Sequence, residues 1–365
     1  MMGSSDIPDT MSGVLLTGHG GLEKLEYRTD LVTPSPASGE VLIRVISTSV
    51  NNTDINTRIG WYSKSVTGAT NMQAGSAPQS VEDDDASWSG VPLQFPRIQG
   101  ADCFGEIVGV GDDVASSRVG ETVLVRSLMR SPANFRPFEI ATFGSECDGG
   151  FAEYAVAPTA DVFVLDKSRA DRSLGAIPCA YSTAEGMLSR ASICADDRVL
   201  ILGASGGVGS AAVKLTKLRG AKVIAVAGAG KEDAVAAFGA DRVIARGKSL
   251  TSELGPRSVT VIVDLVGGDG FTELPDLLTR GGRYVTAGAI AGPIVSFDLR
   301  TLYLNDQTFF GSTAQDEGVF ENIIRYINDG FLVPEIAATF PLSEIHKAQE
   351  KFLEKSFVGK ILLIP

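Results

Sequence analysis

The chain is poor in cysteine and histidine, which limits the chemistry that it can support. Among its 365 residues are four cysteines, none of them in a CxxC pair, and two histidines, His19 and His346. Scattered cysteines are typical of a reducing compartment and predict no disulfide framework. Two histidines are too few for a histidine-based metal site, and we expect neither of them to be catalytic.

Positive charge and long apolar runs are also scarce. The 32 Lys and Arg residues are outnumbered by 44 Asp and Glu residues, which gives a formal net charge of -12. Because such a chain repels phosphate backbones and anionic membranes, we expect neither nucleic acid nor a lipid surface as partner. The sequence has no run of 18 apolar residues, the length needed to span a bilayer. Residues 1–10 are polar and do not have the pattern of a secretory signal. We expect a cytoplasmic protein with residues 1–10 frayed.

What is present indicates a folded chain of about two domains. Hydrophobic residues make up 44% of the chain and charged residues 21%, which excludes disorder throughout. The first 165 residues contain short alternating strands, such as EVLIRVISTSV at 40–50, and predict an all-β, barrel-like domain. Farther on, apolar runs such as RVLILG at 198–203 are separated by helix-length stretches. That alternation is typical of an α/β fold with a doubly wound parallel sheet.

The domain boundaries follow from where this rhythm changes. A helix and a final strand after 335 are expected to rejoin the first domain, which then comprises residues 11–165 and 335–365. A Rossmann-type nucleotide-binding domain, residues 166–334, is inserted between these two pieces. Residues 63–95 stand apart because they are rich in Ser, Gly and Ala and carry the acidic run Glu82 to Asp85. We interpret them as a solvated, non-catalytic insertion rather than as a lid or an interface arm.

A glycine-rich turn predicts a nucleotide site. After the strand that ends at Leu202 the sequence reads Gly-Ala-Ser-Gly-Gly-Val-Gly over 203–209 and continues as a helix. Glycine permits a tight turn and close approach of the backbone to a pyrophosphate, and the helix N-terminus attracts the anion. The alternative is a glycine-rich connection in an α/β core. The cofactor contacts expected here are Ser205, Gly206, Gly207, Val208 and Gly209.

The end of the next strand bears on the choice of cofactor. An acid about 20 residues after the turn would hold a ribose 2′-hydroxyl, but residues 227–231 read Ala-Gly-Ala-Gly-Lys. A small pocket followed by Lys231, with Arg246 past the third strand, suits a 2′-phosphate and favours NADPH over NADH. In the alternative, Lys231 is solvated and Glu232 or Asp233 reaches the ribose. Further cofactor contacts are expected at strand ends, namely Gly228, Gly267, Gly268, Ala287 and Gly288.

Several separate segments combine into a family pattern. They are Asn51-Asn52-Thr53-Asp54 with Arg58 to Tyr62, IQGADCFGEIVGVG at 98–111, the glycine turn, DLVGG at 264–268, GGR at 281–283 and the terminal GKILLIP. Together they resemble the quinone oxidoreductase (zeta-crystallin-like) branch of the medium-chain dehydrogenase/reductase superfamily, except at 1–10 and 63–95. The resemblance implies a GroES-like, partly closed β-barrel catalytic domain beside the Rossmann domain, and Thr183 near the nicotinamide ribose.

The resemblance also implies that zinc is missing. The zinc alcohol dehydrogenases of this superfamily carry a Cys at the position of Asn51, a His at Ala101 and a second Cys matching Cys179. Because catalytic zinc normally takes three protein ligands, we expect no metal in this chain. We interpret Cys179 as a small buried hydrophobe. The histidine that relays protons in the zinc enzymes aligns with Asn56.

Without zinc, conjugated carbonyl compounds remain accessible as hydride acceptors. In a quinone, enone or enal, negative charge collects on an oxygen that hydrogen-bond donors can hold. Tyr62 and Asn51 are the candidate donors, although Tyr62 could pass a proton or simply close the barrel. Asn51 and Asp54 could instead fix the loop through bonds to backbone, and for Asp54 that structural role is favoured.

We therefore predict an NADPH-dependent, zinc-independent reductase that acts on a quinone or an α,β-unsaturated carbonyl compound. One alternative is an alcohol dehydrogenase-like enzyme or enoyl-thioester reductase of the same superfamily. Another is a protein that binds NADPH as a sensor or structural component with little turnover. The resemblance also implies a homodimer, in which the strand near 300–312, with the apolar segment Thr308 to Ser312, extends the nucleotide-domain sheet across a two-fold axis.

Overall fold

The computed structural model describes residues 7–70 and 86–365, so the acidic run Glu82 to Asp85 lies outside the described residues. The strands are β1 Thr10–Leu16, β2 Leu25–Val32, β3 Glu40–Val50, β4 Arg97–Ile98, β5 Phe104–Val110, β6 Thr122–Val125, β7 Leu128–Met129, β8 Ala141–Thr142, β9 Tyr154–Pro158, β10 Val162–Val164, β11 Arg198–Ile201, β12 Lys222–Ala227, β13 Arg242–Ala245, β14 Val259–Asp264, β15 Leu278–Thr286, β16 Thr308–Gly311, β17 Ile336–Pro341 and β18 Lys360–Ile364. The helices are α1 Asn52–Ile59, α2 Pro178–Arg190, α3 Gly207–Leu218, α4 Glu232–Ala237, α5 Leu250–Leu254, α6 Leu274–Leu277, α7 Leu299–Leu304, α8 Val319–Asn328 and α9 Ile345–Glu354. In this part of the chain no helix combines the length and the apolar character that crossing a membrane requires.

The predicted α/β fold class, a partly closed β-barrel beside a doubly wound parallel sheet, is confirmed. Strands from the first part of the chain and from its C-terminal part form a sheet in the order β10-β6-β5-β3-β18-β17, with β9 also paired to β3. Its pairs are antiparallel except for β17 and β18, which run parallel. The long strand β3 is central to it and pairs with β5, β9 and β18. Strand β18 follows, in the sequence, the second sheet of the molecule, which belongs to the predicted nucleotide-binding domain and is called the nucleotide sheet below. Strand β18 nevertheless pairs with β3, with Ile361 opposite Val50.

The nucleotide sheet is entirely parallel, in the order β13-β12-β11-β14-β15-β16. Helices on both faces bury its strands, and the β11 side chains Val199, Leu200 and Ile201 have no exposed surface. Each such side chain contributes roughly 1.5–3 kcal/mol by burial. Strand β11 has β12 on one side and β14 on the other, so the strand order reverses there. In open α/β sheets, ligands bind outside the carboxyl ends of strands at this switch point.

The N-terminal expectation is wrong at one position. Thr10 was expected to be frayed, but it already lies in β1 and pairs with Val32 of β2. Strand β1 is anchored because Met11, Val14 and Leu16 are buried in the core of the barrel domain.

One edge of the nucleotide sheet is open among the described strands. Strand β16 is the last strand in the order and pairs with β15 alone. Exposed apolar side chains stand just before it in the chain, namely Ile294, Val295, Leu299, Tyr303 and Leu304. An open strand edge beside apolar surface favours association with another chain. We propose that a second copy of this protein covers this edge.

The proposed dimer predicts a solution mass twice that of the chain by light scattering. Tyr303→Arg should shift the protein toward the monomer, because Tyr303 is 62% exposed beside the open edge and a charge there is costly to bury. Tyr27→Arg, an exposed position on β2 in the other domain, serves as control and should leave the mass unchanged. A monomeric wild-type protein would refute the proposal.

Candidate functional site

A cavity of about 590 Å³ lies between the barrel domain and the carboxyl end of the nucleotide sheet. It brings together most of the predicted site residues, namely Asn51, Tyr62, Thr183, Gly206, Gly207, Val208, Gly209, Ala287 and Gly288. It is also lined by residues to which the sequence assigned no site role, namely Thr53, Trp61, Trp88, Leu128, Phe138, Arg190 and Lys360. Residues predicted for the site that do not line the cavity are Asp54, Ser205, Gly228, Lys231, Arg246, Gly267 and Gly268.

The glycine turn after β11 fits a dinucleotide. Gly203 has a φ of +71°, and a Cβ at Gly209 would lie 2.1 Å from the Gly203 carbonyl oxygen, so a side chain at Gly209 has no room. Helix α3 therefore packs directly on the turn. Gly206 is the residue before α3 and has no side chain that could accept hydrogen bonds from the first N–H groups of the helix. Since Gly206 also lines the cavity, this end of the helix can hold a pyrophosphate.

Two predicted cations flank the end of β12. A Cβ at Gly228 would lie 3.9 Å from both Arg246 Nη2 and Lys231 Cδ, so both side chains lie beside this glycine. The backbone N–H of Arg246 donates to the carbonyl of Ala227, at 2.6 Å. Burial and the neighbouring Arg246 both lower the pKa of Lys231. Like charges held this close suit a multivalent anion such as phosphate.

A third cation, Lys355, belongs to the same group and was missed from the sequence. The Lys231 ammonium donates to the carbonyl of Lys355, and Lys355 Nζ donates to Asn52 Oδ1 at 3.2 Å. Burial, followed by the charges of Lys231 and Lys360, lowers the pKa of Lys355 to about 7. With Lys360, which lies beside Gly207, the group has four cations between the end of β12 and the glycine turn, namely Lys231, Arg246, Lys355 and Lys360.

The other predicted cofactor contacts separate into two groups. Ala287 and Gly288, which follow β15, line the cavity, as does Thr183, whose hydroxyl donates to the carbonyl of Cys179 at 2.7 Å. Gly267 and Gly268 have positive φ and pack against residues 289–292, so the structure does not bring them to the cavity. Ser205 contributes a carbonyl that accepts from the N–H of Gly359, at 3.4 Å.

A buried polar network forms the floor of the cavity around Asp102. One oxygen of this carboxylate accepts the backbone N–H of Cys179 at 2.7 Å. The other accepts from the Ser49 hydroxyl and from Asn51 Nδ2, at 2.7 Å from the latter. Lys360 Nζ lies 3.4 Å from this second oxygen and also donates to Asn51 Oδ1. Side chains that carry charge are stable at such depth only when paired in this way.

The network corrects the role expected of Asn51. Its Nδ2 donates both to Asp102 and to the Ser49 carbonyl, at 3.3 Å from the latter, and its Oδ1 accepts from Lys360. Both amide hydrogens are therefore engaged within the protein. Asn51 lines the cavity but is not free to donate to a substrate oxygen, and it serves instead to hold the network.

Asp54 has a structural position, the alternative favoured above. It forms a capping box at the start of α1, in which its Oδ2 accepts the N–H of Asn51 at 2.7 Å. Its Oδ1 accepts the N–H of Ala101 at 3.2 Å. Burial raises the pKa of Asp54 to about 7, with the charge of Asp102 adding to the effect. Asp54 thus orients the loop between β3 and α1 rather than facing the cavity.

Aromatic side chains form the wall opposite the glycine turn. Helix α1 ends at Gly60 with a left-handed φ of 69°, and the turned chain then places Trp61 and Tyr62 beside the cavity. The Tyr62 hydroxyl donates to Thr53 Oγ1 at 3.2 Å, and the Trp88 indole N–H donates to this same threonine oxygen at 2.7 Å. The Tyr62 and Trp88 ring centroids are 4.9 Å apart.

The interpretation of 63–95 as solvated is wrong for parts of both described ends, where Thr70 and Ser87 are buried. Thr70 and Trp88 line the cavity, and the N–H of Thr70 donates to the carbonyl of Ile290 at 3.1 Å. The insertion therefore contributes to the site wall. A tryptophan within a Ser- and Gly-rich segment was the available sequence signal.

Two family models match the chain. "Alcohol dehydrogenase GroES-like domain" matches residues 37–167, and "Zinc-binding dehydrogenase" matches residues 207–329. The first covers much of the barrel domain, and the second starts at the first residue of α3 and continues to the end of α8.

Relatives are similar over nearly the full length. Acryloyl-coenzyme A reductase of Metallosphaera sedula is 29% identical, over 97% of this chain and 99% of the relative. Human quinone oxidoreductase is 26% identical, over 97% of this chain and 98% of the relative. Among solved structures, a putative alcohol dehydrogenase from Sinorhizobium meliloti 1021 is 42% identical with a TM-score of 0.88, covering 99% of this chain and 98% of that one.

Breaking the buried network should destabilise the protein. We expect Lys360→Met to lower the free energy of unfolding by about 3 kcal/mol, because it leaves Asp102 as an uncompensated buried charge. Adding Asp102→Asn should recover part of the loss, so the two effects are less than additive. Urea unfolding measures both. Lys347→Met, which removes an exposed pair with Glu344, is the control and should cost under about 0.5 kcal/mol.

Additive losses for Lys360→Met and Asp102→Asn would contradict this account, since they would mean that the two charges do not depend on each other.

Proposed function

The chain belongs to the medium-chain dehydrogenase/reductase superfamily of nicotinamide-dependent oxidoreductases, and on that premise we propose that it is an NADPH-dependent, zinc-independent reductase of quinones or α,β-unsaturated carbonyl compounds. The observation that carries the proposal is a single cavity that joins the glycine turn to an apolar chamber. Trp61, Tyr62, Trp88 and Phe138 line this chamber, and aromatic walls suit a flat, uncharged acceptor.

NADPH is supported by the charges beyond β12. No acid ends that strand, and Lys231, Arg246 and Lys355 stand together in a protein with a net charge of -12. Their electrostatic cost is offset when a phosphate dianion binds among them. Bound NADPH would supply the hydride, while the glycine turn holds its pyrophosphate. Glu232 and Asp233 remain the residues that would instead favour NADH.

Zinc independence is supported by the ammonium group in the floor of the cavity. Lys360 Nζ donates to Asn51 and lies beside Asp102, close to the partly buried thiol of Cys179. Burial and the charge of Asp102 raise the pKa of Cys179 well above its usual value, which keeps the thiol protonated. A cation beside a neutral thiol and an amide opposes binding of a second, divalent cation.

Tyr62 is the proposed donor to the oxygen on which charge develops. Burial raises the pKa of its phenol well above the usual value, against the lowering effect of hydrogen bonds to Thr53 and Asn56. A phenol with a raised pKa keeps its proton, so Tyr62 acts by donating a hydrogen bond rather than by transferring a proton. In the structure the Tyr62 hydroxyl donates to Thr53 Oγ1 at 3.2 Å, and on binding of an acceptor this hydrogen would turn to the developing enolate or hydroquinone oxygen.

An enoyl-coenzyme A substrate is the second candidate, and its support is the similarity to acryloyl-coenzyme A reductase. Charges on the side of the cavity formed by Phe138 and Arg190 oppose it. Arg130 lies 3.9 Å from Glu317, and Arg190 pairs with Asp316 at 3.3 Å. Because acids already neutralise these arginines, they are poorly suited to hold the phosphates of coenzyme A. The structure therefore favours a free carbonyl compound over a thioester.

Purified protein should oxidise NADPH in the presence of 9,10-phenanthrenequinone or an enone, followed as loss of absorbance of the reduced nicotinamide. Acryloyl-coenzyme A and simple alcohols with NADP serve as the alternative substrates. Faster turnover of the thioester would support the second candidate. Tight NADPH binding without turnover of any of these compounds would indicate a sensor or structural protein.

Removing the two predicted phosphate ligands should separate the two cofactors. We expect Lys231→Ala combined with Arg246→Ala to weaken NADPH binding by about 10- to 100-fold, since bonds to charged groups contribute roughly 1.5–3 kcal/mol. NADH binding should change little. Fluorescence titration measures both, with Lys248→Ala, an exposed neighbour paired to Glu253, as matched control. Equal weakening of both cofactors would contradict a role in 2′-phosphate recognition.

NADPH affinity should fall as the pH rises above about 7. The phosphate binds the ammonium form of Lys355, whose pKa is lowered to about 7, so above that pH binding requires proton uptake. The dissociation constant should rise by up to about tenfold per pH unit between pH 7 and 9. In Lys355→Gln this rise should disappear. A wild-type dissociation constant that is independent of pH in this range would refute the assignment.

A further inference from the structure

A second cavity adjoins the candidate site on the side of the loop between β7 and β8. Its volume is about 260 Å³. Phe138 and Ala314 line both cavities, and of these two only Phe138 has a large side chain. The other residues that line the second cavity are Arg130, Pro137, Glu139, Gln315, Asp316 and Glu317. The proposed function uses only the first cavity.

An acceptor larger than a single ring needs room beyond the first cavity. The glycine turn lines the same cavity as the aromatic chamber, so a bound cofactor would take up a large part of its volume. The chamber is closed near Trp61, whose Nε1 donates to the carbonyl of Gly68 at 3.0 Å, and the N–H of Thr70 donates to the carbonyl of Ile290 at 3.1 Å. A long substituent on the acceptor therefore extends most readily past Phe138.

Phe138 is placed to act as a movable boundary between the two cavities. It is 77% exposed, and its ring lies against the Arg190 guanidinium, whose carbon is 5.5 Å from the ring centroid. A cation–π contact at an exposed site is weak, so the ring can turn away at little cost. Its φ of +62° is rare for a bulky residue, and such conformations cluster at sites that bind ligands.

The second cavity is polar but offers no unpaired charge. Each of its three acids is paired with an arginine, namely Glu317 with Arg130 at 3.9 Å, Asp316 with Arg190 at 3.3 Å and Glu139 with Arg136 at 2.6 Å. Neither an anion nor a cation would therefore gain a free partner there. Carboxylates and guanidinium groups form several hydrogen bonds each, so an uncharged hydroxyl, ether or amide still finds partners. An alkyl chain would desolvate these groups without replacing their hydrogen bonds.

We propose that the second cavity is a subsite for the tail of the acceptor, that it takes an uncharged, hydrogen-bonding tail, and that Phe138 is the specificity-determining residue at its entrance. This rests on the proposed function, because it assumes a carbonyl acceptor whose reacting end lies beside Tyr62. The tail turns Phe138 aside and passes Ala314. The acceptor class then narrows to enones or quinones that carry a hydroxylated, ether-containing or amide-containing side chain.

Enones that share one reacting end test the subsite. One carries a long hydroxyl-terminated chain, a second an alkyl chain of equal length, and a third only a methyl group. We expect kcat/KM for the hydroxyl-terminated enone to exceed that for the alkyl enone about tenfold, because one or two hydrogen bonds form in the second cavity. A carboxylate or ammonium end should remove this gain. Equal values for the two long chains, or a higher value for either charged end, would overturn the proposal.

Two variants should change the preference for the long tail in opposite directions. The preference is the kcat/KM of the hydroxyl-terminated enone divided by that of the methyl enone, so an effect of Phe138 on the chamber itself cancels. Phe138→Ala opens the entrance and should raise this ratio about threefold, the equivalent of a weak cation–π contact. Glu317→Trp, at a side chain that is 92% exposed, fills the second cavity and should lower the ratio about tenfold.

Asp329→Trp is the matched control, since Asp329 is an exposed acid that lines neither cavity, and it should leave the ratio unchanged. A ratio that Glu317→Trp does not lower would overturn the subsite. A ratio that Phe138→Ala does not raise would overturn the role of Phe138 at its entrance.

Binding of the matching saturated ketones separates the subsite from the reaction. It is measured by calorimetry on protein loaded with NADP, which has no hydride to transfer. We expect the hydroxyl-terminated ketone to bind about tenfold more tightly than the alkyl ketone, and Glu317→Trp to abolish the difference. Equal affinities in the wild-type protein would overturn the subsite. Failure of the wild-type protein to reduce any acceptor, with this difference in affinity present, would overturn the proposed function and support the subsite.

Discussion

The buried carboxylate of Asp102 joins the parts of the molecule that make the site. It accepts hydrogen bonds at the end of β3 and at the start of α2, and it faces the Lys360 ammonium on β18. Because a buried charge is tolerated only while its partners are in place, these three elements are held in one arrangement. The glycine turn belongs to it as well, since a Cβ at Gly207 would lie 2.6 Å from Lys360 Cδ. Asn51, Cys179, Lys360 and Gly207 all line the cavity, so this network holds one part of its wall in place.

The fold was predictable because its signals are local. Apolar β-branched runs such as the one that became β11 indicate parallel strands wherever helix-length stretches separate them, and the glycine turn specifies the switch point by itself. The return of the final strand to the first domain was also expected, whereas its place beside β3 was not predicted. None of these inferences required knowledge of which side chains meet.

The roles of individual site residues were much harder to predict. Asn51 was a candidate donor to a substrate, with a role in fixing its loop as the alternative, and its amide is engaged by Asp102, 51 residues away, and by Lys360, 309 residues away. Trp88 was assigned to a solvated segment because its surroundings are polar in sequence, although the fold places it against Tyr62. A side chain's hydrogen-bond partners depend on contacts between distant segments, and a single sequence does not display those contacts.

The pairing of β18 with β3 also bears on how the chain folds as the ribosome makes it. Ile361 lies opposite Val50, so these two strands are separated by the entire nucleotide domain. The nucleotide domain can complete its own sheet during translation. The barrel domain cannot, because β3 lacks its neighbour β18 and Asp102 lacks Lys360 until the end of the chain has been made. Domains fold largely in the order of their synthesis. Here the order differs, because the barrel domain is the first to be synthesised but the last to have all of its strands.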